Sequence, residues 1–518
     1  MSLRPQPGFS SVGVWSGTTF FKDNGEPVIA YTGVNGAIAG IGIAEAQDED
    51  LIAWQPLSDN PVIDRAPTSI PNQDFRDPYV WREGDTYYMV VGSGRANNGG
   101  GILMSYTSTD YQNWTLIPPI FEAPSLAIGG RFWEMPYFNR INETDYIFVV
   151  TPQFVGSPAR TIYWVGSFDG AQFEPYHEMP KDFELIRRNL LSPAIGNDEE
   201  DRLAYIGIIP EDRNVEDQIA AGWRQTFSIP RVLRLLEDGE TLGHYPHPNL
   251  CRARRNEVII SERMIDNGTS ENISEYQGTQ SELYFKLHTG NTAQFDLQFY
   301  KNAAGTEWSS LTVDKQNGRI GINRVFSSPY NTAEIVQYGD YDFRPDDTLS
   351  VRIFLDHSIC EVFIDNLVVL SARVYPSFGS DRVDVVLEEG TLDIVEFKAW
   401  DIGDKSESFP PQICIPDDLP AGLFTSVNQP TILDIPVRVF PNPTRGICQI
   451  TLPDDIQDQE FTFSLTTVEG KVIYEKRVTS IAHSIHTIVP SQLPGGVYWA
   501  QLLTAQNQRI VFKILHQP

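Results

Sequence analysis

The chain has 518 residues, a length that provides for several domains and a sizeable hydrophobic core. Aromatic residues make up 11% and charged residues 21% of the composition, which excludes a disordered or collagen-like chain. The net charge of -29 opposes binding to phosphate backbones and anionic membrane surfaces, so we expect no nucleic-acid partner and a neutral ligand instead. No apolar run approaches the roughly 20 residues that span a bilayer, so we expect no membrane span.

Four segments in the first half of the chain repeat one plan of strands joined by polar turns. The predicted central strands are 27–33, 86–92, 146–151 and 203–209, and the predicted third strands are 40–46, 101–107, 161–167 and 225–233. The period is set by Thr18, Pro78, Pro136 and Pro193, at intervals of 60, 58 and 57 residues. Strand-rich repeats of this length predict the blades of a β-propeller around a central funnel, with an ordinary β-sandwich as the alternative.

Two further modules follow the repeats. Alternating strands after a polar, Arg-rich break predict a β-sandwich, in which Asp365 and Asn366 form a tight turn. A proline-rich stretch then predicts a linker, and the last segment predicts a small β domain with equal numbers of basic and acidic residues. The sequence therefore predicts an all-β protein with a propeller over 1–250, a β-sandwich over 251–402, a linker over 403–432 and a last domain over 433–518.

Two carboxylates stand at the start of the innermost strands of neighbouring repeats. Asp77 immediately precedes Pro78, and Glu134 lies two residues before the equivalent Pro136. Residues at this position converge on the axis of a propeller, so we expect both carboxylates to face one sugar-sized hollow. Glycoside hydrolysis uses such a pair, one group to protonate the leaving oxygen and one to attack or stabilise the sugar cation. The alternative is that each side chain only caps a strand or a turn.

Aromatic and basic residues beside these carboxylates suit a sugar ligand. Arg76 is expected to hold a substrate hydroxyl or to lower the pKa of a neighbouring carboxylate. Trp15 and Trp133 are expected to offer flat apolar faces to sugar rings.

Several segments resemble motifs of glycoside hydrolase family 32, the β-fructofuranosidases that include invertases, inulinases and levanases. Its active-site motifs are similar to Val14-Trp15-Ser16-Gly17, Phe75-Arg76-Asp77-Pro78 and Trp133-Glu134-Met135-Pro136. Its last blade is similar to Gly222-Trp223-Arg224-Gln225 and Ser228-Ile229-Pro230-Arg231, and its sandwich to Asp356-His357-Ser358, Glu361-Val362-Phe363 and Arg373-Val374-Tyr375-Pro376. The resemblance covers roughly residues 11 to 402, in family order.

The resemblance implies a five-bladed propeller that releases fructose from β-fructosides (sucrose, inulin or levan) by a retaining mechanism, without a metal or organic cofactor. It implies Glu134 as the general acid/base and Asp77 as the stabiliser of the transition state. The substrate-binding residues that it implies are Arg76, Trp15, Ser16 and Trp133. Met135 stands where the family commonly has Cys, and Tyr137 where it commonly has Asp.

One family motif, the Asn-Asp-Pro-Asn-Gly-like segment that supplies the nucleophilic aspartate, is not found. About a dozen residues precede Trp15, and we count four repeats where the family has five, so we expect the first blade to be largely missing. Asp23 is interpreted as a turn residue, and Asp74 is not expected to replace the nucleophile because it lies so near Asp77. The 518-residue chain is therefore expected to be weakly active or inactive, with a non-catalytic fructan-binding protein as the alternative.

Residues 433–518 resemble the C-terminal sorting domain of the type IX secretion system. The resemblance rests on the segments 439–444, 470–472 and 493–498 and on the ending Phe512-Lys513-Ile514. It implies the type IX secretion machinery as a partner and a secreted or cell-surface protein that is exported through the periplasm. Export implies a signal peptide, and the start Met1-Ser2-Leu3-Arg4-Pro5 is not typical of one. The alternative is an additional carbohydrate-binding sandwich.

Overall fold

The computed structural model describes residues 3–36, 38–96, 99–154, 159–187, 189–266, 268–327, 336–403, 431–432, 438–440, 447–452, 460–466, 472–480, 484–488, 496–504 and 508–516. Strands dominate these residues, which confirms the prediction of an all-β protein. The helices are short: α1 is Leu126–Gly129, α2 is Val215–Ala221, and Pro248–Ala253 is a 3-10 helix. In this part of the chain no helix has the length and apolar character needed to cross a membrane. The chain forms two compact units that divide near residue 404.

The described residues before 247 contain four antiparallel sheets, which we call blades 1 to 4. Blade 1 consists of β1 (Gly13–Phe21), β2 (Pro27–Val34), β3 (Ala39–Ala46) and β4 (Trp54–Pro56). Blade 2 consists of β5 (Asn72–Glu83), β6 (Thr86–Arg95), β7 (Gly100–Ser108) and β8 (Thr115–Ile117). Blade 3 consists of β9 (Trp133–Arg140), β10 (Tyr146–Pro152), β11 (Ile162–Phe168), β12 (Phe173–Pro175) and β13 (Lys181–Asp182). Blade 4 consists of β14 (Leu191–Asn197), β15 (Leu203–Ile209), β16 (Thr226–Phe227), β17 (Arg231–Leu235) and β18 (Leu242–Pro246).

The first strands of successive blades contact one another, so β1, β5, β9 and β14 are the innermost strands. Each of them has a bulge near its start, where the pairing with the second strand shifts register. The residues that follow the bulges are Gly17, Pro78, Pro136 and Pro193. The first repeat is thus aligned on Gly17, and the predicted alignment on Thr18 was wrong by one residue.

The third strand of blade 4 differs from the prediction of one strand over 225–233. The structure has β16 and β17 instead, separated by Ser228-Ile229-Pro230. Pro230 has no N–H to donate to a strand ladder, and the N–H of Gly207 is bound by the hydroxyl of Ser228 at 3.0 Å. The Ser228 N–H still donates to Gly207 O at 2.8 Å, so the side chain supplies one acceptor within an otherwise backbone contact.

Residues 254–402 form two sheets with a shared apolar core. One sheet contains β19 (Arg254–Ile260), β20 (Arg263–Ile265), β22 (Gln280–His288), β27 (Thr348–Asp356), β28 (Ile359–Ile364), β29 (Val368–Arg373) and β31 (Leu392–Ile402). The other contains β21 (Ser270–Gln277), β23 (Gln294–Asn302), β24 (Ser309–Asp314), β25 (Arg319–Asn323), β26 (Val336–Asp340) and β30 (Ser380–Leu387). Asp365 and Asn366, with φ of 52° and 55°, make the tight turn that the sequence predicted.

A buried arginine of blade 4 joins the propeller to this sandwich. Arg231 is 0% exposed, and its Nη1 donates to Glu184 at 2.7 Å while its Nε donates to Glu361 of β28 at 3.0 Å. The same guanidinium also donates to Tyr205 and Ser371. We call these residues the Arg231 cluster. The charged residues of the Ser-Ile-Pro-Arg and Glu-Val-Phe segments therefore pair across the junction.

The C-terminal unit contains two sheets in its described residues. One has β32 (Thr431–Ile432), β35 (Glu460–Thr466), β36 (Val472–Thr479), β38 (Gly496–Thr504) and β39 (Gln508–His516). The other has β33 (Arg438–Phe440), β34 (Ile447–Thr451) and β37 (Ser484–Ile488). Most of the predicted linker over 403–432 and the predicted turns at 441–444, 470–471 and 493–495 lie outside the described residues.

Candidate active site

The register of the blades brings three side chains to one place. Trp15, Arg76 and Glu134 each stand immediately before the bulge of their innermost strand, where they pair with Thr32, Gly92 and Thr151. Equivalent positions on neighbouring innermost strands lie side by side, although they are about 60 positions apart in sequence. The fold therefore gathers an aromatic, a basic and an acidic group at one end of the blades.

Arg76 is the centre of this cluster. Its Nη2 atom lies 2.7 Å from Glu134 Oε1 and 3.0 Å from Asp74 Oδ2, so the guanidinium bridges two carboxylates. The rings of Trp15 and Phe132 lie 5.7 Å and 5.0 Å from its central carbon, within the range of a cation–π contact. The Arg76 cluster, as we call these residues, is thus a polar centre with aromatic walls.

Gln153, which sequence reasoning missed, holds the second oxygen of Glu134. Its Nε2 donates to Glu134 Oε2. The backbone of Gln153 is fixed on both sides, since its N–H donates to Phe132 O at 3.0 Å and its C=O accepts from Arg131 N–H at 2.7 Å. Both oxygens of Glu134 are therefore engaged by positioned donors. The one available signal was its place just beyond β10, the strand that pairs with the start of β9.

Asp77 is the bulge residue of β5 and is only 6% exposed. Its Oδ2 accepts a hydrogen bond from the Met135 N–H at 3.0 Å, which places it next to Glu134 on the neighbouring blade. Burial raises the pKa of Asp77 to about 6, opposed by the Met135 N–H and the charge of Arg76. Its φ of 59° lies in the left-handed region, which Asp tolerates better than most residues.

At the bulges of blades 2, 3 and 4 a backbone N–H group points inward, and the acceptor that binds it is not the same in each blade. The hydroxyl of Thr32 accepts from Asp77 N–H, and that of Thr151 accepts from Ser192 N–H, both at 2.9 Å. The equivalent residue of blade 2 is Gly92, where a Cβ would lie 2.3 Å from the backbone oxygen of Trp133. A side chain at Gly92 is excluded, and the carboxylate of Asp77 accepts from the bulge N–H of blade 3 instead.

Trp133 does not offer a face to a ligand, which corrects the sequence prediction. It is 0% exposed, its Nε1 donates to Gly129 O at 2.7 Å, and its ring stacks on Phe121. Side chains alternate between the two faces of a strand, so the neighbour of the inward Glu134 points into the blade core. Trp15, by contrast, is 47% exposed beside Arg76.

The remaining sequence candidates lie in and around the cluster. Ser16 is exposed at the bulge of β1, and its carbonyl accepts from the Thr32 hydroxyl at 3.1 Å. A cavity of about 340 Å³ lies against Trp15 and Asp74. Asp23 lies in the turn beyond the other end of β1 and pairs with Arg82 at 2.5 Å, as expected of a turn residue. In the described part of the chain, no group of three or more His, Cys, Asp or Glu residues is arranged to hold a metal ion.

Three protein-family models match the chain. The model of the glycosyl hydrolases family 32 N-terminal domain matches residues 1–246, and that of the family 32 C-terminal domain matches residues 250–401. The model of a secretion system C-terminal sorting domain matches residues 438–517.

Related proteins match over most of their length. The fructan 6-exohydrolase of Beta vulgaris is 24% identical, with 77% of this chain and 76% of that protein covered. The sucrose-6-phosphate hydrolase of Bacillus subtilis is 26% identical, with 74% and 78% covered. Among solved structures, fructan 1-exohydrolase IIa of Cichorium intybus matches with a TM-score of 0.68 and 21% identity, over 78% of this chain and 86% of that one. The shared fold is thus that of a propeller followed by a sandwich.

Proposed function

The chain belongs to glycoside hydrolase family 32, and on this premise we propose that it hydrolyses β-fructosides at the Arg76 cluster. The observation that carries the proposal is the meeting of Glu134 and Asp77 from neighbouring blades, through the Met135 N–H and beside Arg76. The exposed ring of Trp15 adds an apolar wall for a sugar. Acid, stabilising carboxylate and sugar platform therefore share one site.

Glu134 is assigned the proton transfers. In the retaining mechanism of the family it gives a proton to the oxygen of the leaving group as the bond to fructose breaks and a nucleophilic carboxylate binds the fructosyl group, and later it takes a proton from the water that releases fructose. The Asn-Asp-Pro segment that supplies this nucleophile in the family is not found in the 518 residues, so we propose that hydrolysis by this chain is weak or absent. Its two oxygens are held by Arg76 and Gln153. Each carboxyl oxygen has two lone-pair positions, so a position remains for the proton that passes to the leaving oxygen.

Asp77 is assigned the binding of fructose hydroxyls and the stabilisation of positive charge on the sugar. Both tasks need the carboxylate form. Because burial raises the pKa of Asp77 to about 6, the carboxylate is lost as the pH falls through that value. We therefore expect kcat/KM to decline on the acid side near pH 6.

A second candidate function is fructan binding without hydrolysis. It is favoured because the nucleophile motif is not found in the 518 residues, and a retaining enzyme needs a carboxylate to bind the fructosyl group. The same groups that orient a substrate would then hold a sugar without cutting it.

The test is fructose release from sucrose, inulin and levan by the 518-residue chain, next to calorimetric titration with inulin fragments. Hydrolysis that is lost in Glu134→Gln and kept in Glu122→Gln, an exposed carboxylate bound to Arg95, supports the proposal. Binding of inulin fragments without fructose release would support the second candidate instead. Absence of both would contradict each of them.

The C-terminal sorting domain indicates export to the cell surface or the medium. We propose that the type IX secretion machinery recognises it and that the substrates are extracellular fructosides. Retention of the protein in the periplasm on deletion of 433–518, with fructosidase activity unchanged, is the expected result. Unchanged export would contradict this partner.

A further inference from the structure

Asp74 brings a second carboxylate close to Glu134. The Nη2 atom of Arg76 lies 2.7 Å from Glu134 Oε1 and 3.0 Å from Asp74 Oδ2, so these two oxygens can be no farther apart than the sum of the two distances. In retaining glycosidases the two carboxyl groups that flank the scissile bond are about 5–5.5 Å apart, whereas inverting enzymes need about 6.5–9.5 Å to admit a water. The bridged oxygens thus fit the spacing of a retaining pair and not that of an inverting pair.

The position of Asp74 is fixed by its backbone. The residue has a φ of 66°, in the left-handed region, and lies at the irregular pairing between Gln73 and Arg76 in β5. The hydroxyl of Ser93, a fully buried residue of β6, donates to the Asp74 carbonyl at 2.7 Å, and the Asp74 side chain accepts from the Phe75 N–H at 2.8 Å. Strained backbone that its surroundings hold in place is a common feature of functional sites. The carboxylate is thus positioned beside Arg76 before a ligand arrives.

Asp74 and Asp77 differ in access although they lie close together in the sequence. Asp77 is buried, and one of its oxygens accepts from the Met135 N–H. The side chain of Asp74 is 27% exposed and lines the cavity of about 340 Å³ that the ring of Trp15 also lines. This volume is at the low end of the roughly 300–1,000 Å³ of small-molecule sites, which suits a single sugar ring. Nearness to Asp77 was the reason not to expect a nucleophile at Asp74, but the fold gives the two carboxylates separate surroundings.

We infer that Asp74 is the nucleophile for the hydrolysis that this chain performs, in place of the family segment that is not found in the 518 residues. The inference rests on the proposed fructosidase function for its reaction. It rests on the geometry of Asp74, Arg76 and Glu134 for the choice of residue.

The reaction then has two displacement steps. A carboxylate oxygen of Asp74 bonds to C2 of the fructosyl group while the bond from C2 to the leaving oxygen breaks, and Glu134 gives its proton to that oxygen. The oxygen of a water molecule next bonds to C2 as the ester bond to Asp74 breaks, and the water gives a proton to the Glu134 carboxylate. Both side chains return to their starting forms, and the two steps consume only the fructoside and water.

A covalent trap tests the assignment without natural turnover. The Glu134→Gln variant cannot take a proton from water, so it should accumulate the fructosyl ester formed from β-fructosyl fluoride, whose fluoride leaves without a proton. Peptide mass spectrometry is expected to find the fructosyl group on Asp74. In the same background, Asp74→Asn should stay unlabelled. Asp23→Asn, a control that removes a carboxylate paired with Arg82, should be labelled as before.

Kinetics give a second measurement. Asp74→Ala is expected to lower fructose release from sucrose, inulin and levan to the level of the buffer. Azide in solution should restore cleavage of β-fructosyl fluoride by this variant and give fructosyl azide of inverted configuration, because azide then attacks C2 from the side that the carboxylate has vacated.

A fructosyl group on Asp77 or on any other residue, or on none, would overturn the inference. Fructose release by Asp74→Ala at the rate of the unaltered chain, together with its loss in Glu134→Gln, would overturn it as well and leave the proposed function standing. A fructosyl group on Asp74 in a chain that releases no fructose from sucrose, inulin or levan would uphold Asp74 as the nucleophile and contradict the proposed hydrolysis of these fructosides.

Discussion

The Arg76 cluster and the Arg231 cluster are built from the same parts, one arginine between two carboxylates. At Arg76 the side chains are open, with exposed fractions of 20% for the arginine, 27% for Asp74 and 23% for Glu134. At Arg231 they are sealed, with 0% for the arginine, 4% for Glu184 and 0% for Glu361. Exposure, more than composition, separates the proposed ligand site from a junction that joins two domains.

The hydrogen bonds of the two arginines show the same difference. All three nitrogens of Arg231 donate to carboxylates or hydroxyls of the protein. The Nε of Arg76 has no hydrogen-bond partner among the described residues. Burial raises the pKa of Glu184 and of Glu361, and the charge of Arg231 opposes that rise. The sealed cluster therefore depends on charge pairing for stability.

The largest expected effect is on activity, in Glu134→Gln. Removal of a general acid/base lowers kcat by about 10²–10⁴-fold. Glutamine keeps the shape and an acceptor for Arg76, so the melting temperature should change little. Steady-state kinetics and thermal unfolding of the same preparation check both parts. A variant that unfolds instead would show that the open cluster is structural.

Glu361→Gln is expected to lower the stability of the protein and to leave its activity unchanged. It leaves the buried Arg231 without one of its charge partners, and breaking a buried ion pair costs about 3–5 kcal/mol. The free energy of unfolding should fall by that amount, while kcat per folded molecule stays the same. Urea unfolding next to the exposed control Glu49→Gln measures it. A drop in kcat without loss of stability would reverse the roles assigned to the two clusters.

Asp77→Asn tests how much stability is lost because the charge of Asp77 is buried. The native pKa of Asp77, about 6, is above its ordinary 3.8, so the folded state binds the proton more tightly and stability declines as the pH rises from about 4 to 6. Asparagine removes the buried charge but keeps an acceptor for Met135 N–H. We expect the free energy of unfolding at pH 7 to rise by about 2–3 kcal/mol, with no rise at pH 4. Fructose release should fall sharply at the same time.

Thermal unfolding across this pH range separates the explanations for Asp77→Asn. A gain in stability that is the same at pH 4 and pH 7 would contradict the role of the charge. A loss of stability at both would show that the hydrogen bond from Met135 N–H needs a carboxylate.

The sequence predicted the parts that depend on local pattern. The repeats gave the strands of the blades, and the shared position of Asp77 and Glu134 near Pro78 and Pro136 indicated that they converge. The prediction for Trp133 was wrong. Trp133 precedes Glu134 in the sequence, but successive side chains of a strand point to opposite faces, so Trp133 is buried in the blade.

Contacts between distant segments could not be predicted in this way. Gln153 hydrogen-bonds to Glu134 and Thr32 to Asp77, which lie 19 and 45 positions away, and neither Gln153 nor Thr32 stands in a motif. Arg231 and Glu361 pair although they lie 130 positions apart. Both stand in motif segments, but these segments do not indicate that the two side chains meet. Only the fold determines which strands bring such groups together.

The smallest effect is expected at two threonines, Thr32 and Thr151, each of which accepts a hydrogen bond from a bulge N–H. Thr151→Val removes the acceptor of the Ser192 N–H, and Thr32→Val removes that of the Asp77 N–H, so each leaves an unsatisfied inward donor that costs about 1–3 kcal/mol. Stability should fall alike in both. Activity should fall only in Thr32→Val, because the bulge that it supports positions the Asp77 carboxylate, whereas Ser192 has no role in the proposed reaction. Thr32→Ser and Thr151→Ser, which keep the hydroxyl, should retain both stability and activity. An equal loss of kcat/KM in the two valine variants would contradict the distinction between catalytic and structural bulges.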